Sequence, residues 1–135
     1  MEQKDYLLRE IEKIGQILRA ILRRLTGSPD NLAIAIDRQM EDTAAMLKDM
    51  NFDLNHFLAL SPNDTQEYIN SYQGFNIENL ELLAKAIMQL GLAQNGDKKK
   101  VYLRKALQLL KHCNRTDRTY SYNREFNINA INDEL

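Results

Sequence analysis

The sequence predicts an all-α fold, a single-domain bundle of six or seven helices. Two observations carry that prediction. Apolar residues recur at helical spacing through four long segments, near 4–25, 29–49, 76–94 and 98–113. No segment alternates apolar and polar residues as a half-buried strand would.

The first segment is the most regular. Leu7, Ile11, Ile14, Leu18, Ile21 and Leu25 succeed one another at steps of 4, 3, 4, 3 and 4, one line down a helix. Glu2, Asp5, Glu10 and Glu12 lie toward its N-terminal end and Arg19, Arg23 and Arg24 toward its C-terminal end, which complements the helix dipole. Thr26 and Gly27 are read as its stop, with glycine as the left-handed cap. Ser28-Pro29-Asp30 then reads as a helix start: a capping hydroxyl, a proline at the first helical position and an acid in the first turn. Ala33, Ile36, Met40, Ala44, Leu47 and Met50 continue that second helix.

A short third helix is expected in Asn-Phe-Asp-Leu-Asn-His-Phe-Leu-Ala-Leu, residues 51–60, and a fourth opens at Ser61-Pro62 and closes at Gly74. Leu80, Leu83, Ala84, Ile87, Leu90 and Gly91 mark the next long helix; Val101, Leu103, Ala106, Leu107 and Leu110 mark the one after. Asn95-Gly96-Asp97 between them suits a hairpin turn, but its flanks have period 3.6, so it reads as a tight helix–helix loop. Residues 114–135, with Tyr122, Phe126 and Ala130 at steps of four, form either a docked C-terminal helix or an arm.

At 135 residues the chain suits one domain with an adequate core. A net charge of −1 lacks the basic excess of a general nucleic-acid binder. The single cysteine, Cys113, excludes an intramolecular disulfide and suits a reducing compartment. Charges interrupt the N-terminal apolar residues, so no secretory signal is expected, and no run approaches the ~20 apolar residues of a membrane span. The final Asn-Asp-Glu-Leu has Asn132 where a retention signal has lysine. The expected location is cytoplasmic.

The opening stretch, carried by Asp5, Tyr6, Leu7, Leu8, Arg9, Ile11, Glu12 and Gly15, resembles a bacterial family of helical proteins of unknown function. That family begins with a D-Y-L-L-R-x-I-E helix and ends in a degenerate tetratricopeptide-like helix pair. Leu60-Ser61-Pro62 is similar too, and Asn95 to Leu110 looks like the turn and second helix of a tetratricopeptide unit. The resemblance implies a TPR-like hairpin. Gly96 to Ala106 is about two residues shorter than in that repeat, and lysines replace its early small residue. One pair falls short of the roughly three repeats that build a groove. The resemblance brings no activity with it.

No catalytic, cofactor or metal site is expected. His112 and Cys113 are adjacent and point about 100° apart on a helix, so they neither share a metal nor form a nucleophile–base pair. His56 alone remains to act with Cys113, and nothing in the sequence brings it near. Glu10, Glu12, Glu78 and Glu81 have cations three or four residues away, the pattern of surface pairing. The Lys98–Lys100 run, with Arg115 and Arg118 and with Tyr102 and Tyr120 for stacking, is the one feature pointing to nucleic acid.

The N-terminal stripe is broader than a simple core seam. Leu8, Gly15 and Leu22 form a second line at seven-residue spacing, and Gly15 suits close approach of another backbone. These three are the candidate partner-binding residues. The leading expectation is a helical interaction or scaffold protein that self-associates as a homodimer. Two alternatives stand beside it: a ligand-binding protein or enzyme with an interhelical pocket lined by Tyr68, Tyr72, Tyr102 or His56, and a nucleic-acid accessory protein using Lys98–Lys100. The mixed-sign polar face of the first helix argues against a membrane partner.

Overall fold

A computed structural model describes the backbone of residues 2–26 and 32–135 and the side chains of residues 4–26 and 36–135. Among the described residues there are seven helices and no strand. They are α1 (Glu2–Thr26), α2 (Leu32–Lys48), α3 (Leu54–Ala59), α4 (Pro62–Asn70), α5 (Ile77–Leu92), α6 (Gly96–Asp117) and α7 (Tyr122–Glu134). The expected Gly27 stop and the Ser28-Pro29-Asp30 start lie outside the described residues. The C-terminal segment is a helix, so the alternative of an arm is set aside.

Local chemistry explains the boundaries. Asp53, Ser61, Asn76 and Ser121 each cap a helix, their side-chain oxygens accepting from the amides of His56, Asp64, Asn79 and Arg124. The connection between α5 and α6 is tight, as the flanks implied, but it lies at residues 93–95: Gly96, with a φ of +67°, and Asp97 already belong to the first turn of α6.

Helix α5 is the axis of the bundle. Its buried residues run from Asn79 through Leu83, Ala84 and Ile87 to Gly91, more than one face of the helix, because α1, α6 and α7 all pack on it. Gly91 lies against Tyr102 and Leu103, and Cys113 lies beside the carbonyl of Ile77. The α5–α6 pair is therefore an antiparallel hairpin. A Cβ on Gly91 would come within 2.9 Å of the Tyr102 Cβ, so glycine lets the two backbones close up at this end.

Helix α1 runs along α5 in the same direction, with Gly15 beside Asn79 and Leu22 near Lys85 and Met88. Its stripe divides. Ile14, Leu18 and Ile21 are fully buried; Ile11 and Leu25 are half-buried; Leu7 is exposed. The stripe outruns the core because the body of the protein begins at Glu10. There Gly74, in the α4–α5 connection, sits against the Glu10 backbone and the Ile14 side chain.

Candidate interaction surfaces

The N-terminal turns of α1 form the first surface. Lys4 to Arg9 are all exposed, and among them Tyr6 is 57%, Leu7 37% and Leu8 55% accessible. Three large apolar side chains thus stand on a helical arm that the described residues cover only in part.

The candidate partner residues Leu8, Gly15 and Leu22 do not share one open surface. Leu8 is on the arm. Gly15 is buried, and a Cβ there would lie 3.0 Å from the Asn79 side-chain oxygen. The close approach that glycine permits is made by α5 of the same chain. Leu22 packs partly on the core and lines a groove of about 480 Å³ between α1, α5 and α7. Met88 and Phe126 line it too, with Arg23 and Lys85 at its edge. Phe126 is 63% exposed, and Tyr122, one turn earlier on α7, is also open to solvent.

An aromatic knot forms the second feature. Phe52, Phe57, Tyr68, Tyr72 and Phe75 pack with ring centroids 4.9–5.9 Å apart. The Tyr68 hydroxyl accepts from the Asp53 amide at 3.0 Å, and Tyr72 donates to the Asn51 carbonyl. Burial, and the hydroxyl and charge of Tyr68 beside it, push the Tyr72 phenol well above its usual value. Of the expected pocket, then, Tyr68, Tyr72 and His56 do come together, His56 stacking outside Tyr68 at 5.6 Å. Tyr102 is instead buried on α6 against Gly91, its phenol raised by burial and partnered by Gln94. It is not available to stack on a base.

A cleft of about 610 Å³ opens beside this knot, lined by Ala44, Ala45, Lys48, Asn51, Asp53 and Asn55 among others. Asp53 already caps α3, and no second acid lines the cleft.

Cys113 is wholly buried and its thiol is pushed up to about 11, chiefly by desolvation. The thiolate that nucleophilic chemistry needs does not form near neutral pH. His112 contacts Thr116, and its imidazole is held below the usual value by burial and by Arg115. Among the described residues no three histidine, cysteine, aspartate or glutamate side chains gather as a metal site.

Two buried cations were not legible as sites. Arg124 is 4% exposed and ties α7 to both neighbours. It donates to Glu81 at 2.6 Å, to Asn114 at 2.9 Å and to Asp117 at 2.8 and 3.1 Å. Glu81, expected in surface pairing on its own helix, therefore takes a partner on α7. Lys105 is buried on α6 with no carboxylate: it donates to the Leu60 carbonyl and the Thr65 hydroxyl and lies 5.1 Å above the Phe57 ring. Burial lowers its pKa. The position of an amine between Arg104 and Ala106 does not reveal that α3 and α4 cover it.

The Lys98–Lys100 run is divided by the helix. Lys99 pairs with Glu134 at 2.6 Å, closing α7 onto the start of α6, while Lys98 and Lys100 stay exposed. The larger basic surface lies further along. Arg104, Lys111 and Arg115, with Leu107 and Gln108, form one wall of a groove of about 460 Å³; Pro62, Asn63 and Gln66 of α4 form the other. No described helix is long and apolar enough to cross a membrane. Neither family models, nor curated proteins, nor solved structures match this chain.

Proposed function

We propose that the protein is a helical interaction module that self-associates through the N-terminal arm of α1. The observation that carries this reading is the division of the stripe. One line of apolar residues is fully buried at Ile14, Leu18 and Ile21, yet it continues into solvent as Leu7, with Tyr6 and Leu8 beside it. Exposed clusters of large apolar side chains mark association surfaces.

A second copy is the occupant this arm suits. Its flanking charges balance, Lys4 and Arg9 against Asp5 and Glu10, so two arms meet without net repulsion. Three side chains alone fall short of the ~800 Å² per partner of a standard interface. The α1–α5–α7 groove, where Leu22, Met88 and Phe126 offer further apolar area to a partner's arm, supplies the rest. Each copy carries both arm and groove, so an exchange about a two-fold axis uses each contact twice. A reducing, cytoplasmic setting agrees with the single buried thiol of Cys113.

Sedimentation equilibrium tests the reading. The wild type should show a mass near twice 15.7 kDa, and Leu8→Glu should fall to the single-chain mass with its helical circular dichroism unchanged. Leu8 is the site to change, because a charge at Leu22 would also disturb the core. A wild type that stays at 15.7 kDa at high concentration would overturn the proposal.

A further inference from the structure

We propose that the groove between α4 and α6 binds the phosphate backbone of a single-stranded nucleic acid. At 100° per residue, Lys100, Arg104, Lys111 and Arg115 fall within about 60° of arc on α6 and extend over about 22 Å of its axis. All four are exposed, and among the described residues none of them is in an ion pair, whereas Arg19, Arg24, Lys99 and Arg124 all are. The one acid on that arc is Asp97, at the end away from Arg115.

The groove presents two guanidinium groups, an ammonium and the amides of Asn63, Gln66 and Gln108, and no carboxylate lines it. Gln108 reaches across the groove and donates to the Pro62 carbonyl at 2.9 Å, a direct link between α6 and α4 there. Such a set of donors suits a ligand that offers acceptor oxygens repeatedly, and guanidinium groups bind phosphate in paired fashion.

The occupant follows from what else is near. An acidic amphipathic helix needs an apolar floor, and here only Leu107 and Pro62 provide one. A strand needs backbone cations and a face on which a base can stack. Tyr120, five residues after Arg115 and just past the end of α6, is 75% exposed and takes that role in the proposal. The near-zero net charge of the whole chain does not oppose local binding, since screening confines the relevant field to roughly 10 Å.

Fluorescence anisotropy with a labelled mixed-sequence single-stranded RNA of about 20 nucleotides tests the proposal, with a duplex of equal length and poly-glutamate as rival probes. Four neutralised contacts predict that the log of the association constant falls with log salt at a slope near −3. The triple variant Arg104→Gln, Lys111→Gln, Arg115→Gln should lose at least about ten-fold in affinity and most of that slope. Lys98→Gln, on another face of α6, should bind within about two-fold of wild type. Tyr120→Ala should weaken binding at least about five-fold with its slope kept. Circular dichroism confirms that each variant is folded. Absent binding at about 50 mM salt, an unaffected triple variant, an unaffected Tyr120→Ala, or equal affinity for the duplex or poly-glutamate would each overturn the assignment.

Discussion

Asn79 fastens α1 to α5: its side-chain amide donates to the Ile11 carbonyl at 2.9 Å and to the Gly74 carbonyl at 2.8 Å. The residue is 2% exposed; the Ile11 carbonyl also takes the helical bond of α1, whereas the buried Gly74 carbonyl lies outside any helix. Asn79→Ala should cost about 1–3 kcal/mol by leaving the buried Gly74 carbonyl without its donor and by removing the tie to α1, read as a lower urea midpoint. An unchanged midpoint would show that water replaces the amide.

The same side chain decides the fate of Gly15. Alanine is the better helix former by about 0.5–1 kcal/mol, but its Cβ would lie 3.0 Å from the Asn79 oxygen, which two hydrogen bonds hold in place. Gly15→Ala should therefore be neutral or destabilising alone and stabilising in the Asn79→Ala background. A double-mutant cycle reads this as a coupling energy, and additive effects would contradict it.

Arg124 should be the strongest single tie on α7. Arg124→Met leaves Glu81 and Asp117 without their shared cation. Truncating one partner of a buried pair costs about 3–5 kcal/mol. About 2–3 kcal/mol is expected here because both carboxylates keep some water. Hydrogen exchange should show α7 opening first, ahead of α5 and α6. Uniform loss of protection would mean that α7 is held by packing alone.

Stability should fall at both ends of the pH range. Cys113 titrates at 9.0 unfolded and about 11 folded. Between those values the unfolded chain has released the proton and the native one has not. Its contribution is thus complete below pH 9 and lost as pH rises toward 11. On the acid side, Arg124 and the Thr119 amide hold the Asp117 carboxyl below its usual range, so its contribution is present above that range and lost as pH falls through the lowered value. His112, held below its usual value, adds loss in the same direction, because the unfolded imidazole takes a proton first. Cys113→Ala should lessen the alkaline limb in thermal melts at stepped pH and leave the acid limb unchanged; the raised Tyr72 and Tyr102 phenols keep the rest of the alkaline loss.

The sequence carried the helices well and the joints between them poorly. Period 3.6 exposes α5 and α6 because Leu83, Ile87, Leu103 and Leu110 each repeat a face that the hairpin buries. Glu81 and Arg124 are 43 residues apart, and pairing at that separation leaves no periodic trace. Gly74 read as a helix stop; it lies past α4, and its small size serves the approach of Glu10 on α1. The same contact explains the arm. Leu7 and Ile14 look equivalent along the stripe, and only the place where the rest of the chain begins makes one exposed and the other core.

Hydrogen exchange at two protein concentrations tests the self-association claim most directly. Amides of Lys4 to Arg9 belong to an exposed arm, so in a single copy they should exchange quickly at any concentration. If two copies pair through the arm, protection there should rise with concentration while the α5 amides, already in the core, stay the same. Leu8→Glu should abolish the rise. Arm protection that does not change across the dilution series would contradict the account.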